Sequence, residues 1–449
     1  MDAAPKRELS LFDSTSLIVG IIVGAGIYQM APDIARGGGS AGGMLVLWLA
    51  GGFISLCGAL GYAELATAYP QAGGDYVYLT RAYGKWAGFL FGWLQTVIVR
   101  PGDIAVMAFA FATYARTIYD PFAGPQSIYT LKFYASLAVA ALTLINILGV
   151  RQGKWTQNIL TVAKVFGLAG IVVVALLAPH HNAAVTKVAP FPASLALIFV
   201  LFTFGGWNEM AYVAAEIKDP SRNIFRALLL GTVAVTALYL LVNCGFLLVL
   251  QYPGLAASQA VAVDAISARF PVVGGRIIAV LVSLSALGAA NGLIFAGARI
   301  SYAVGKDHQI FRLLGAWDGR TGTPVRALAL QGIIAIVVIL ALGSFGDSVL
   351  YTAAPVYLFY LATSLAVGVL RFQEPQAQRP YRTWGYPVTT LLFAAVCIFL
   401  ARSAVVFRPH VALAALGILL LGLPFYFLSR RAGLLKSNPA EPAAMSAAK

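Results

Sequence analysis

Charge is scarce in this chain of 449 residues: only 11% are Asp, Glu, Lys or Arg, and 17 are acidic. An ordinary soluble domain carries about a quarter of charged residues, so a water-covered globule of this length is excluded. Cysteine is scarcer still. The 3 cysteines, Cys57, Cys244 and Cys397, all lie inside apolar stretches, so no disulfide framework is implied. The adjacent His180 and His181 find no third ligand at metal-like spacing and read as solvated loop residues. No triad, nucleophile elbow or pair of catalytic carboxylates on a soluble scaffold is present, so the sequence points to neither an enzyme nor a cofactor. The run R-G-G-G-S-A-G-G, Arg36 to Gly43, lacks the Gly-Lys-Ser/Thr ending of a phosphate-binding loop and reads as a flexible turn.

What fills the chain is apolar sequence, 60% of all residues, with a mean hydropathy of +0.82. Twelve segments are long enough to cross a bilayer: 14–35, 41–69, 86–116, 130–149, 155–178, 193–216, 224–250, 273–304, 326–343, 347–371, 386–406 and 410–429. An all-α integral membrane protein is expected. The first segment is too long, and too interrupted by glycine, for a cleaved signal. Counted over alternate connections, the side bearing both termini holds about 21 Lys and Arg and the opposite side about 8, which places both termini in the cytoplasm. The net charge of +14 thus follows membrane topology, and no basic arm is left for nucleic acid.

Two of the apolar segments are broken. I-I-V-G-A-G-I-Y, Ile21 to Tyr28, carries two glycines inside the first, and F-T-F-G-G-W-N, Phe202 to Asn208, interrupts the sixth in the same way. Irregular backbone survives at membrane depth only where it lines a cavity, although small residues at a helix interface are the simpler explanation of a single glycine pair. Paired breaks in corresponding positions favour a transport site at a repeat interface. The half-helix after Gly26 would aim N–H groups and a positive dipole end at an anion, and carbonyls freed around Ile22, Phe202 and Gly205 would attract a cation. An α-amino acid carries both charges on one carbon.

With the break G-A-G-I-Y go four further motifs: A-E-L and P-Q-A-G-G-D-Y-V-Y between Ala63 and Tyr78, I-V-R-P at Ile98 to Pro101, G-G-W-N with E-I-K-D-P-S-R-N from Gly205 to Asn223, and S-A-L-G-A-A-N-G with a later Arg from Ser285 to Arg299. Together they resemble the L-type amino acid transporters of the amino acid, polyamine and organocation superfamily, as a prokaryotic-like member, over Ser14 to about Tyr381. The resemblance implies a leucine-transporter-type fold: a tail 1–13, inverted repeats 14–178 and 193–371 of five spans each, two additional spans in 386–429 and a tail 430–449. It implies that the substrate carboxylate meets amides of Gly24, Ala25 and Gly26, and the amino group meets carbonyls of Ile22, Phe202 and Gly205. Phe202 matches the aromatic that closes over the substrate, and Trp207 and Asn208 complete the second break. Two positions depart from the family, Ala25 where many members have serine and Phe225 where proline is usual.

Charges inside the membrane are expensive and need a partner or a task. Glu64, near the end of the second span, reads as a partly solvated interfacial charge. Lys164 either snorkels to the interface or, as the family resemblance implies, replaces a sodium ion between the first and eighth spans. Arg100 and Asp103 share a helix face at a spacing of three, so mutual neutralisation is expected. In the family, positions matching Asp103 and Glu209 lie near the substrate side-chain pocket. The expectation is a sodium-independent exchanger of neutral amino acids in the plasma membrane, working by alternating access; the alternative is a proton-coupled transporter of cationic amino acids or polyamines. A receptor or membrane-embedded enzyme finds no soluble domain or catalytic constellation to support it. Eukaryotic members are joined to a glycoprotein through a cysteine in the loop after the third span. Here that loop, Thr117 to Tyr129, has none, so no disulfide-linked subunit is expected.

Overall fold

A computed structural model describes residues 5–121, 127–177, 191–258, 260–268, 270–341, 345–407 and 409–431. Among them, 8 helices are long and apolar enough to cross a membrane: Leu11–Gln29, Ala41–Ala68, Lys85–Ile118, Ile128–Leu148, Val150–Leu177, Pro220–Ala257, Gly274–Asp307 and Pro355–Gln373. Shorter apolar helices at Ala193–Thr203, Val325–Ala341, Val388–Ser403 and Leu416–Phe427 stand where the sixth, ninth, eleventh and twelfth spans are expected. Only isolated β-bridges accompany the helices among the described residues, so the all-α membrane architecture holds. His180 and His181 lie outside the described residues. Large apolar side chains such as Leu137, Leu144, Phe166 and Val337 are exposed on the outside of the bundle, as a lipid-facing surface requires.

The first span begins with a reciprocal cap: Asp13 N–H donates to Ser10 Oγ at 3.2 Å, and Ser10 N–H to Asp13 Oδ2 at 2.9 Å. It ends at Ile22, where Val23 turns out of helical geometry (ψ 75°) and the Gly24 N–H folds back to the Ile22 carbonyl at 2.7 Å. A short helix restarts at Gly26–Gln29 and another follows at Ala31–Gly38. The glycine-rich turn is therefore tighter than expected. Helix takes Arg36 to Gly38, and Ser40 Oγ caps the second span by accepting from Gly43 N–H at 3.0 Å.

The sixth span stops at Thr203 and restarts at Glu209. Between them Gly206 adopts φ +111°, and a Cβ there would lie 2.5 Å from Ile21 Cγ2. The two breaks thus touch at a point where only glycine leaves room. The third span is also irregular: α-helix Lys85–Leu94 passes through a π-helical segment, Gln95–Val99, into α-helix Arg100–Ile118. Pro101, which has no N–H to donate, sits in the first turn of that last helix.

The side that carries the N-terminal segment is tied shut by short-range bonds. Leu9 pairs with Ile217 beyond the sixth span, through Leu9 N–H to the Glu216 carbonyl at 2.8 Å and Lys218 N–H to the Leu9 carbonyl at 2.9 Å. Lys154 pairs with Asp13 at 3.3 Å. Arg299 holds Glu216 through Nε at 2.7 Å and Nη2 at 3.0 Å, both residues fully buried.

Glu64 corrects the sequence reading. It is only 1% exposed, and Arg371 grips it at 2.8 and 2.6 Å while Thr383 donates to it from N and Oγ1, each at 2.7 Å. Sequence spacing gave no hint of this, because its partners stand some 300 residues away on the tenth span and the connection after it.

Candidate functional site

A cavity lies between the two breaks, lined at its centre by Ile22, Gly24, Gly26, Phe202, Gly205 and Trp207. Of the expected amides, Gly24 is committed to the Ile22 carbonyl, whereas the Ala25 and Gly26 N–H groups have no backbone acceptor among the described residues. The N–H groups left open at the start of the half-helix are thus those of Ala25 and Gly26. Ala25 contributes backbone only, since its side chain is fully buried and lies outside the lining.

The expected carbonyls are not all free either. Ile22 O accepts from the Tyr239 hydroxyl at 2.8 Å, and Phe202 O from Gly205 N–H at 2.9 Å. With the Gly24 N–H also on it, Ile22 O has both lone pairs taken, whereas Phe202 O keeps a second one and the Gly205 carbonyl makes no backbone bond among the described residues. Tyr239 also donates toward Thr203 O at 3.2 Å, so one hydroxyl of the seventh span spans both broken helices. Nothing in the sequence marked this lone tyrosine.

Lys164 is fully buried on the fifth span and does not snorkel. Its ammonium donates to the carbonyls of Gly20 at 2.7 Å, Val23 at 2.8 Å and Ser285 at 2.9 Å. Three carbonyls from the first and eighth spans satisfy all three of its protons. The Ser285 hydroxyl adds a bond to Val23 O at 2.8 Å. A hydrogen-bond donor is therefore fixed by covalent chain at the first break.

One corner of the cavity is charged. Arg100, Asp103 and Glu209 all line it, but the pairing differs from the expectation. Arg100 Nη1 lies 2.6 Å from Glu209 Oε1, its Nε donates to Gln95 Oε1 at 3.0 Å, and its guanidinium lies 4.9 Å from the Tyr212 ring centre. Asp103 has no ion pair or hydrogen bond among the described residues. Residues three apart on a helix can share a face, yet the carboxylate on the facing break reaches the guanidinium first. The lining also includes the apolar side chains Phe91, Val356, Phe359, Phe393, Val396 and Leu400.

Asn208 does not line the cavity. Its amide donates to the Tyr212 hydroxyl at 3.0 Å and its oxygen accepts from Tyr360 at 3.0 Å, which places it behind the wall that Tyr212 and Tyr360 present.

The family model described as amino acid permease matches residues 9–420. The chain belongs to the amino acid permease family. Membership makes the permease a multi-pass membrane transporter of amino acids rather than an enzyme. It is similar to the human b(0,+)-type amino acid transporter 1, with 32% identity over 433 residues, 94% of this chain and 88% of that protein. It is also similar to the human large neutral amino acids transporter small subunit 2, with 32% identity over 438 residues, 95% of this chain and 81% of that protein. The mouse b(0,+)-type amino acid transporter 1 shares 31% over 433 residues, 94% of the permease and 88% of the mouse protein.

Proposed function

We propose that the permease is a sodium-independent exchanger of neutral L-amino acids that works by alternating access around the two breaks. The observation that carries this is Lys164: a protein-borne cation occupies the carbonyl cage between the first and eighth spans, so no metal ion is needed to hold them together. The α-carboxylate would sit on the Ala25 and Gly26 amides, and the α-amino group on the carbonyls of Phe202 and Gly205, joined by Ile22 O once Gly24 or Tyr239 releases it, with Phe202 and Trp207 enclosing the substrate. The side chain would lie against the apolar lining.

A second reading rests on Asp103, whose carboxylate lines the cavity without an ion pair to Arg100 and would favour a cationic side chain. Both readings draw support from relatives, one named for large neutral amino acids and the other as a b(0,+)-type transporter. We place the inverted halves at 14–178 and 193–371 and both termini in the cytoplasm of a plasma-membrane protein. Although one relative is named a small subunit, the loop after the third span lacks cysteine, and transport by this chain alone is the proposal.

The experiment is reconstitution of the purified chain, with no second subunit, in liposomes. Uptake of labelled alanine, leucine, lysine and arginine is followed with and without internal amino acid, with sodium or choline outside, and with a pH gradient. Uptake that needs internal amino acid but neither sodium nor a pH gradient supports exchange. Dependence on sodium, or inertness until a partner is added, refutes it.

A further inference from the structure

Below the cavity, toward the side that carries Leu9, lies a buried carboxylate with no cationic partner among the described residues. Asp75 opens the short helix Asp75–Tyr83 in the connection between the second and third spans, and it is wholly inaccessible. Three hydroxyls from three spans converge on it: Tyr62 of the second, Tyr212 at the inner end of the sixth (2.7 Å) and Thr363 of the tenth (2.5 Å). Gly73 N–H adds a bond to the Tyr212 carbonyl at 3.2 Å. Burial pushes the Asp75 carboxyl up from its ordinary range, and the three donors oppose that.

The chemistry of the acceptor sets the direction of every bond around it. A carboxylate only accepts, so all three hydroxyls must donate to it. With its proton so committed, the Tyr212 oxygen can accept from Asn208, and Asn208 in turn can accept from Tyr360. Tyr212 and Tyr360 line the cavity, and Tyr212 lies under Arg100. One carboxylate therefore orders a polar chain that ends at the binding wall. It also holds the inner half of the broken sixth span against the second and tenth spans. An amide at this position would offer N–H donors and reverse at least one hydroxyl, breaking the order.

We propose that Asp75 is a positioning residue for transport: it latches the inner half of the sixth span through Tyr212, and this latch must release and reform in each cycle. The proposal rests on amino acid transport itself and not on exchange or on substrate preference.

The test uses Asp75→Asn, Tyr212→Phe and the double variant in the full chain, purified and checked by gel filtration and thermal melting. In liposomes, the transport rate of labelled leucine should fall about tenfold or more in each variant, while leucine affinity in equilibrium binding of Asp75→Asn, whose side chain does not line the cavity, stays within about threefold. The double variant should be no slower than Asp75→Asn alone, since the Tyr212 bond is one of the three that Asp75 holds. A substrate-free readout separates this from the proposed function. Cys397 lines the cavity, and in a background with Cys57 and Cys244 changed to serine its alkylation by a maleimide should speed up about tenfold in Asp75→Asn as the latch loosens. Unchanged transport and alkylation, effects that multiply, or binding and melting temperature that fall in step with rate would each overturn the latch. Should Asp75→Asn fail to fold, Tyr212→Phe and Thr363→Val are judged by the same criteria.

Discussion

Arg100 of the third span pairs with Glu209 of the sixth at 2.6 Å and leaves Asp103, one helical turn away on its own span, without an ion pair. Two of the three charges at the cavity cancel each other. With that apolar lining available, leucine is expected to compete better than lysine or arginine against labelled alanine, and Asp103→Asn to change leucine affinity by less than about threefold. Lysine outcompeting leucine in the native protein, with that advantage gone in Asp103→Asn, would establish the cationic reading instead. Glu209→Gln strands a buried guanidinium, so it should lower transport of every substrate by about tenfold or more.

Gly26→Val is expected to weaken substrate binding about tenfold or more. A Cβ at Gly26 would meet Thr203 Oγ1 at 2.9 Å and Cγ2 at 3.2 Å, so the branched side chain pushes the two breaks apart before any substrate arrives. Overpacking of this kind costs about 1–3 kcal/mol. Native affinity in a well-folded variant, measured by equilibrium binding, would remove Gly26 from the site.

Replacing Lys164 by alanine takes a donor from the carbonyls of Gly20, Val23 and Ser285, of which Val23 keeps the Ser285 hydroxyl. Each unmet buried acceptor costs about 1–3 kcal/mol, and exchange should drop at least about tenfold at equal protein level. In the native protein, replacing external sodium by choline should leave uptake unchanged. A variant that transports normally would show that the ammonium is a packing convenience.

Arg299 and Glu216 bind each other bidentately in full burial. Glu216→Gln alone should destabilise the protein by about 3–5 kcal/mol, seen as a lower melting temperature in detergent. Changing both to apolar residues should cost less than either single change. Equal and additive losses would mean that the pair contributes no coupling.

The sequence made the fold legible because hydropathy and glycine are local signals. Twelve spans, and the breaks at Gly24 to Gly26 and Gly205 to Gly206, could be read without knowing any contact. Lys164 was visible for the same reason, as one ammonium in an apolar run. Pairings were not. Asp103 is the near neighbour of Arg100 in sequence, but Glu209, more than 100 residues on, is the partner, because two helices cross there. Tyr239 and Asp75 were hidden for a related reason: a hydroxyl or carboxylate signals its role only once the groups it joins are placed in space.

The π-helical segment Gln95–Val99 stands directly before Arg100. Such a turn holds one residue more than α-helical winding allows, and each residue of an α-helix advances the chain by about 100°. Were the same residues wound as regular α-helix with none removed, the half of the third span that follows would swing by about that angle relative to the half before it. Arg100 would then leave Glu209, and Asp103 would leave the cavity. The extra residue held in the π-turn thus sets which side chains of this helix face the cavity, and loss of one in-frame codon there would take out the turn yet keep the two halves in register.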